Sequence, residues 1–225
     1  MSTPPADEAA TGQPLSALEA LHSTPSRRYL AADPIPEEVL WAILDAAIRG
    51  PSGGNTQPWG WVVLTDQDVK RQVAGWYRAN WEAIYGSRRD AILAGETESS
   101  GLTPRGYLGA EYLAHHLEEA PVWVFPVLRN AADATNPRLG SSIYGAAQQL
   151  CLAARAYGIG TSLTTLYGGH EDELRELLGL PADALTMALI PMGYPARGRW
   201  AEPRRRPVQE VVHWNRWGAT RDRKG

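Results

Sequence analysis

One cysteine and one phenylalanine are all that this 225-residue chain holds of those two types. The lone Cys151 excludes an intrachain disulfide framework and suits a reducing compartment. No apolar run approaches the ~20 residues that a membrane helix requires. The stretch Met1–Gln13 has no basic segment followed by an apolar one, so no secretory signal is read there. A cytoplasmic protein with no membrane contact is expected. No sign of charge dominates: 22 Lys and Arg against 25 Asp and Glu leave a net charge of −3. That balance argues against a broad attraction to nucleic acid. Three chemical signatures are missing as well: the phosphate-binding P-loop, the Gly-x-Ser-x-Gly nucleophile elbow and the His-Glu-x-x-His zinc helix.

What the chain does have is 44% hydrophobic residues, enough for a sizeable core, together with nine Trp and nine Tyr. Indole N–H and phenol O–H groups need partners, which places such residues at wet pockets and interfaces more readily than in a dry centre. Residues 1–14 are small, polar and Pro/Ala-rich and read as a disordered tail, with 15–217 as one domain and 218–225 as a second tail. Leu15, Leu18 and Leu21 have helical spacing. Glu37–Arg49 carries one apolar stripe through Val39/Leu40, Ile43/Leu44 and Ala47/Ile48, and Gly50-Pro51 ends it. Trp61-Val62-Val63-Leu64 reads as a strand. Gln67–Arg89 and Gly109–Glu119 read as helices, and Ala94–Gly106 as a mobile loop. Val122–Leu128 reads as a strand that Pro126 assigns to an edge or a bulge. Ser141–Tyr157 is the clearest helix, with Gly158 as its stop. Glu171–Leu178 is a further helix and Ala184–Met192 a strand. Helices and strands are interspersed without regular β-α alternation, so the fold class is α+β, a three-layer sheet-and-helix arrangement.

Several local patterns carry little chemistry. Gly158-Ile159-Gly160 opens like a dinucleotide fingerprint but follows a helix, and fits a helix C-cap turn. His115 and His116 are adjacent and point about 100° apart on a helix, unlike an i, i+4 metal pair. Cys151 lies on a small-residue helix face and reads as a core thiol. Arg204-Arg205-Arg206, with proline on both sides, is open to three readings: a solvated run, a nucleic-acid patch, or a fixed presenter of guanidinium groups to a phosphate monoester. Trp76, Tyr77, Trp81, Tyr85 and Tyr107 either stack on an aromatic ligand or pack helices together.

The most informative stretch is Pro51-Ser52-Gly53-Gly54-Asn55-Thr56-Gln57-Pro58-Trp59. The glycine pair permits φ > 0 and close approach of another surface. The Ser52 hydroxyl, the Asn55 and Gln57 amides and nearby backbone N–H groups offer donors and acceptors that match the edge of a flavin or a base. The plainer reading is a Gly/Pro/Asn turn joining helix to strand.

Order along the chain carries a further reading. Arg27-Arg28-Tyr29 leads into a Pro-x-Pro helix start, followed by the Pro51–Trp59 segment and a strand. An Ala-rich helix, Tyr157-Gly158-Ile159-Gly160-Thr161, Gly193-Tyr194-Pro195 and the Pro-bounded arginines come after. In this order, from about Leu15 to Trp217, the chain resembles the FMN-dependent nitroreductase family. The resemblance implies an interdigitated homodimer with FMN at the interface. It implies that Arg27, Arg28 and Tyr29 lie on the FMN phosphate, ribityl or pyrimidine side. Pro51, Ser52, Gly53, Gly54, Asn55 and Gln57 would be contributed by the partner subunit against the isoalloxazine. Thr164, Thr165 and Leu166 would place backbone groups near flavin N5 and O4, and Arg204 and Arg206 would bind the phosphate. Where family members carry Arg-Arg-Ser, this chain has Ser23-Thr24-Pro25-Ser26.

The function so implied is transfer of hydride from NADH or NADPH through flavin N5 to a nitroaromatic, a quinone or a similar small acceptor, in ping-pong order. No side-chain acid, base or nucleophile is required, and no metal is expected. The alternatives are a protein that binds or sequesters FMN without turnover, and a specialised relative acting on flavin itself or on a halogenated aromatic.

Overall fold

The computed structural model describes residues 15–96, 103–131 and 138–222. The reading of 1–14 as a tail, residues 97–102 of the 94–106 loop and the last three residues lie outside them.

A five-stranded sheet runs through the middle of the molecule. Its strands are β1 (Trp59–Leu64), β2 (Val122–Leu128), β3 (Gly160–Thr161), β4 (Leu185–Thr186) and β5 (Ile190–Gly193). The main path is β1-β2-β5-β3, with β4 also on β2, and every pairing is antiparallel. Because side chains alternate across a strand, β2 feeds two separate cores. Trp123, Phe125 and Val127 join one apolar cluster with residues of α3 (Gln67–Tyr85), α4 (Arg89–Leu93), α5 (Pro104–His115) and α7 (Glu171–Leu177). Val122 and Val124 join the other, with α2 (Glu37–Ala47) and α6 (Tyr144–Ala156). Sheet and two helical layers make the expected three-layer α+β arrangement.

Of the edge or the bulge expected at Pro126, the bulge is what forms. β2 is a central strand, not an edge, yet the proline sits at a bulge. Val124 pairs with Ile190 and Val127 with Thr186, so Phe125 and Pro126 face three residues, Met187–Leu189, on the opposing chain. The Pro126 carbonyl accepts from Met187 N–H at 2.9 Å, and its missing N–H falls at the interruption, where no ladder partner is lost. The same bulge splits the strand expected over 184–192 into β4 and β5.

Other boundaries moved for local reasons. The long helix read over 67–89 ends at Tyr85, and a 3₁₀ turn, Gly86–Arg88, re-aims the chain into α4. α5 begins at Pro104, inside the segment read as a loop. Thr103 caps it, the hydroxyl accepting from Gly106 N–H. α6 starts three residues later than expected because Leu139–Ser142 is 3₁₀, and Gly158 at φ +73° closes the helix as read. The first helix, α1 (Ala17–Ser23), forms but buries nothing: Leu18 and Leu21 are 70% and 59% exposed. Cys151 is buried in the α6 core, and burial pushes its thiol pKa up. Among the five aromatic residues left open above, Tyr77, Trp81 and Tyr107 are core-packing residues. No helix among the described residues is long and apolar enough to cross a membrane.

Candidate functional site

α2 ends where Gly50 meets α6 backbone to backbone: a Cβ there would stand 2.8 Å from Ala146 Cα. That contact delivers the 51–57 loop to the start of α6, where Ser142 Oγ accepts from Gly53 N–H at 3.2 Å. Inside the loop, Ser52 Oγ accepts from Gln57 N–H at 2.9 Å and Thr56 Oγ1 donates to the Gly53 carbonyl. The turn is left-handed three times, at Gly54 (φ 58°), Asn55 (φ 55°) and Gln57 (φ 50°). Asn tolerates this region; a Gln there is uncommon. Residues 53–57 are all exposed. The Asn55 side-chain amide makes no hydrogen bond among the described residues, and Gln57 Nε2 makes one long contact of 3.4 Å to the Asn55 carbonyl. Strained backbone and unspent amides are thus presented outward on one loop.

Arg27, Arg28 and Tyr29 border a second feature, a cavity of about 820 Å³. Arg105, from the first turn of α5, and Arg197 and Arg199, from the segment after β5, join them; among the described residues Glu202 is the one carboxylate on the wall. Sequence reasoning missed these three arginines. The only signal was the Arg-Gly-Arg-Trp run at 197–200. Arg28 makes no hydrogen bond among the described residues. Arg27 is 9% exposed and is engaged three times, donating to the carbonyls of Arg197 (2.6 Å), Gly198 (3.2 Å) and Arg199 (2.9 Å). Burial lowers its pKa, with Arg105 and Arg155 adding to the effect. An arginine keeps its proton regardless. The Tyr29 carbonyl accepts from Ala196 N–H, and the Arg197 guanidinium lies 3.4 Å from the centre of the Tyr29 ring.

Thr164, Thr165 and Leu166 form the third group. Thr164 N–H and C=O both bond to Leu189 across the sheet edge, at 2.9 and 2.8 Å. Its hydroxyl meets the Tyr77 hydroxyl at 3.1 Å. Asn80, one turn along α3, donates to the carbonyls of Leu166 and Gly168 at 2.8 Å each. Leu166 N–H reaches Thr164 Oγ1 at 3.4 Å. Among the described residues that leaves the N–H groups of Thr165, which is exposed, and Tyr167, which is buried, as the backbone donors of this turn with no hydrogen-bond partner. Arg204 and Arg206 are exposed, immediately beyond Pro203, the last residue lining the arginine cavity. No hydrogen bond or ring contact among the described residues joins the 52–57 loop to the arginine cavity or to the 164–166 turn. Within one chain the 52–57 loop stands apart, whereas Tyr77 links the other two groups, its hydroxyl meeting Thr164 Oγ1 and its phenol lying within electrostatic reach of Arg28.

A model of the nitroreductase family matches residues 22–194, most of the chain. This chain belongs to the nitroreductase family. A NADH dehydrogenase of Thermus thermophilus is 29% identical over 205 residues, covering 84% of this chain and 90% of the relative. Iodotyrosine deiodinase 1 of Rattus norvegicus is also 29% identical, over 185 residues and 80% of this chain; the match spans 62% of that longer protein. Among solved structures, the FMN-dependent nitroreductase NfnB of Mycobacterium smegmatis, crystallised with NADPH, superposes with a TM-score of 0.65. It is 22% identical, with 89% of this chain and 98% of that one covered. Sheet order, bulge and flanking helices described above are therefore this chain's version of the nitroreductase fold.

Proposed function

We propose that this nitroreductase-family protein is an FMN-dependent, NAD(P)H-oxidising reductase of small aromatic acceptors such as nitroarenes and quinones. The observation that carries the reading is the 52–57 loop, whose left-handed Asn55 and Gln57 hold exposed amides that make a single long intrachain contact between them. Strain of this kind persists where a ligand or a partner uses it. The residues present fit an anionic, planar heteroaromatic group. The amides of Asn55 and Gln57 match an alternating donor and acceptor edge, Thr165 N–H is an unspent donor, and Arg28, Arg204 and Arg206 supply positive charge for a phosphate.

Bound FMN would supply hydride chemistry between the nicotinamide and the acceptor. The chain's own residues bind and orient. Positive charge from Arg28 would favour an anionic ring, and Thr165 N–H would donate a hydrogen bond to it. Homodimerisation fits the same picture. The loop and the arginine cavity do not meet within one chain, and apolar side chains stand exposed on α1 and on the C-terminal segment, where Trp217 is 89% exposed. A loop donated by a second copy completes each site.

Steady-state oxidation of NADH and NADPH with a nitroarene or a quinone tests the reading. Turnover with parallel double-reciprocal lines is expected; flavin binding without turnover points instead to a sequestering role. The deiodinase relatives favour one second reading, reductive dehalogenation, and halide release from a halogenated phenol distinguishes it.

A further inference from the structure

The segment following β5 is a strap, residues 194–206, that runs along the arginine cavity before reaching Arg204 and Arg206. Its inner side is fastened at one point above all. The Arg27 guanidinium spreads over three consecutive carbonyls, Arg197, Gly198 and Arg199, at 2.6 to 3.2 Å. Three consecutive carbonyls converge on one group only if the backbone turns sharply, and Gly198 does so at φ +81°, with a hypothetical Cβ 3.4 Å from the guanidinium. Arg27 is itself held: its N–H donates to the Thr161 carbonyl at 2.7 Å, and its Cβ lies where a side chain at Gly160 would clash, 2.6 Å away. Trp200 closes the fastening, its ring centre 5.0 Å from the Arg27 guanidinium and 4.2 Å from that of Arg155 of α6. Further along, His22 Nδ1 contacts Glu202 at 2.9 Å.

We infer that Arg27 is a positioning residue: a three-point clasp that fixes the strap so that Arg204 and Arg206 face the cofactor phosphate. This rests on the flavin reading above. A planar fork with five donors can meet three diverging acceptors at once, and a lysine ammonium cannot reproduce that geometry. Arg27 thereby acts on the phosphate through the strap. Such an indirect role fits a chain whose Ser23-Thr24-Pro25-Ser26 stretch offers no guanidinium of its own.

The test compares wild type with Arg27→Met, Arg27→Lys and Trp200→Ala, each checked for native circular dichroism. Apo-protein is titrated with FMN and with riboflavin, which lacks the phosphate. In parallel, the flavin-free proteins are digested with trypsin and cleavage after Arg197 and Arg199 is followed by mass spectrometry. All three variants are expected to expose the strap to trypsin. FMN binding should weaken by about tenfold or more (about 1.4 kcal/mol per tenfold), with riboflavin binding unchanged within about twofold. Trp200→Ala keeps the Arg27 charge, so it decides the matter if Arg27 variants do not fold. Equal losses for FMN and riboflavin overturn the clasp, because they mark a general structural defect. So does weaker FMN binding without strap cleavage, which marks Arg27 as a direct phosphate ligand. Unchanged strap cleavage in Arg27→Met overturns it whichever way the titration goes. A wild-type protein that binds neither flavin overturns the flavin reading itself, while the digestion still tests the clasp on the strap.

Discussion

Gln57 holds φ 50° with an amide that gains one long contact in return. A side chain kept in this backbone region costs about 1–2 kcal/mol relative to glycine, part of it offset by glycine's greater freedom in the unfolded chain. Gln57→Gly is therefore expected to leave stability unchanged or to raise it by up to about 1 kcal/mol, read by urea denaturation. The same variant should weaken FMN binding, because the amide is lost. Arg204→Ala with Arg206→Ala is expected to lower FMN affinity by about tenfold or more, two charge-assisted contacts being removed. Both arginines are exposed and support no packing, so the melting temperature should not move. Unchanged flavin occupancy in the double variant would count against the phosphate role.

Among the elements, α3 has the most to do with the site. Tyr77 and Asn80 lie about one turn apart and together hold the 164–168 turn, in which Thr165 is exposed with its N–H unpaired among the described residues. Asn80→Ala strands two carbonyls at once, a loss of about 1–3 kcal/mol in stability by denaturant unfolding. It should also slow turnover by loosening Thr165; full activity in the variant would show that the turn needs no such support. The 51–59 loop was legible in the sequence because turn chemistry is local: Gly, Pro, Asn and the Ser52 hydroxyl act within a few residues of themselves. Pro126 was half legible. A missing N–H announces a bulge, but whether the strand is an edge depends on which neighbours pair with it, and those lie about 60 residues away on both sides along the chain. The split of 184–192 was hidden for the same reason, its apolar run being continuous while the bulge is set by β2. Arg27's carbonyl partners are 170 to 172 positions distant, and no local pattern points to them.

At the scale of the whole molecule, two cores share one sheet, and buried tyrosines tie them to pH. Burial pushes the Tyr167 phenol up to about 12, against an ordinary value of 10. The unfolded chain releases this proton near pH 10 and the folded chain keeps it until about 12. Stability from this group is thus complete below pH 10 and is lost as pH rises toward 12, at a slope of up to about 1.4 kcal/mol per pH unit. Tyr77, Tyr107 and Tyr194 are shifted the same way by burial, so their losses add. Unfolding curves from pH 9 to 12 should show that decline, shallower in Tyr167→Phe; identical slopes would place the phenol in solvent.

Above all, this nitroreductase-family chain is expected to hold FMN and to use it for electron transfer from a nicotinamide. Anaerobic mixing tests it most directly. FMN-loaded protein is titrated with NADH or NADPH without oxygen while its visible absorption is followed, and a nitroarene or quinone is then added. The predicted result is bleaching of the bound flavin by at least one nucleotide and full recovery of the colour on adding the acceptor. Protein that takes up no FMN, or that binds it and keeps its colour in the presence of both nucleotides, would contradict the account.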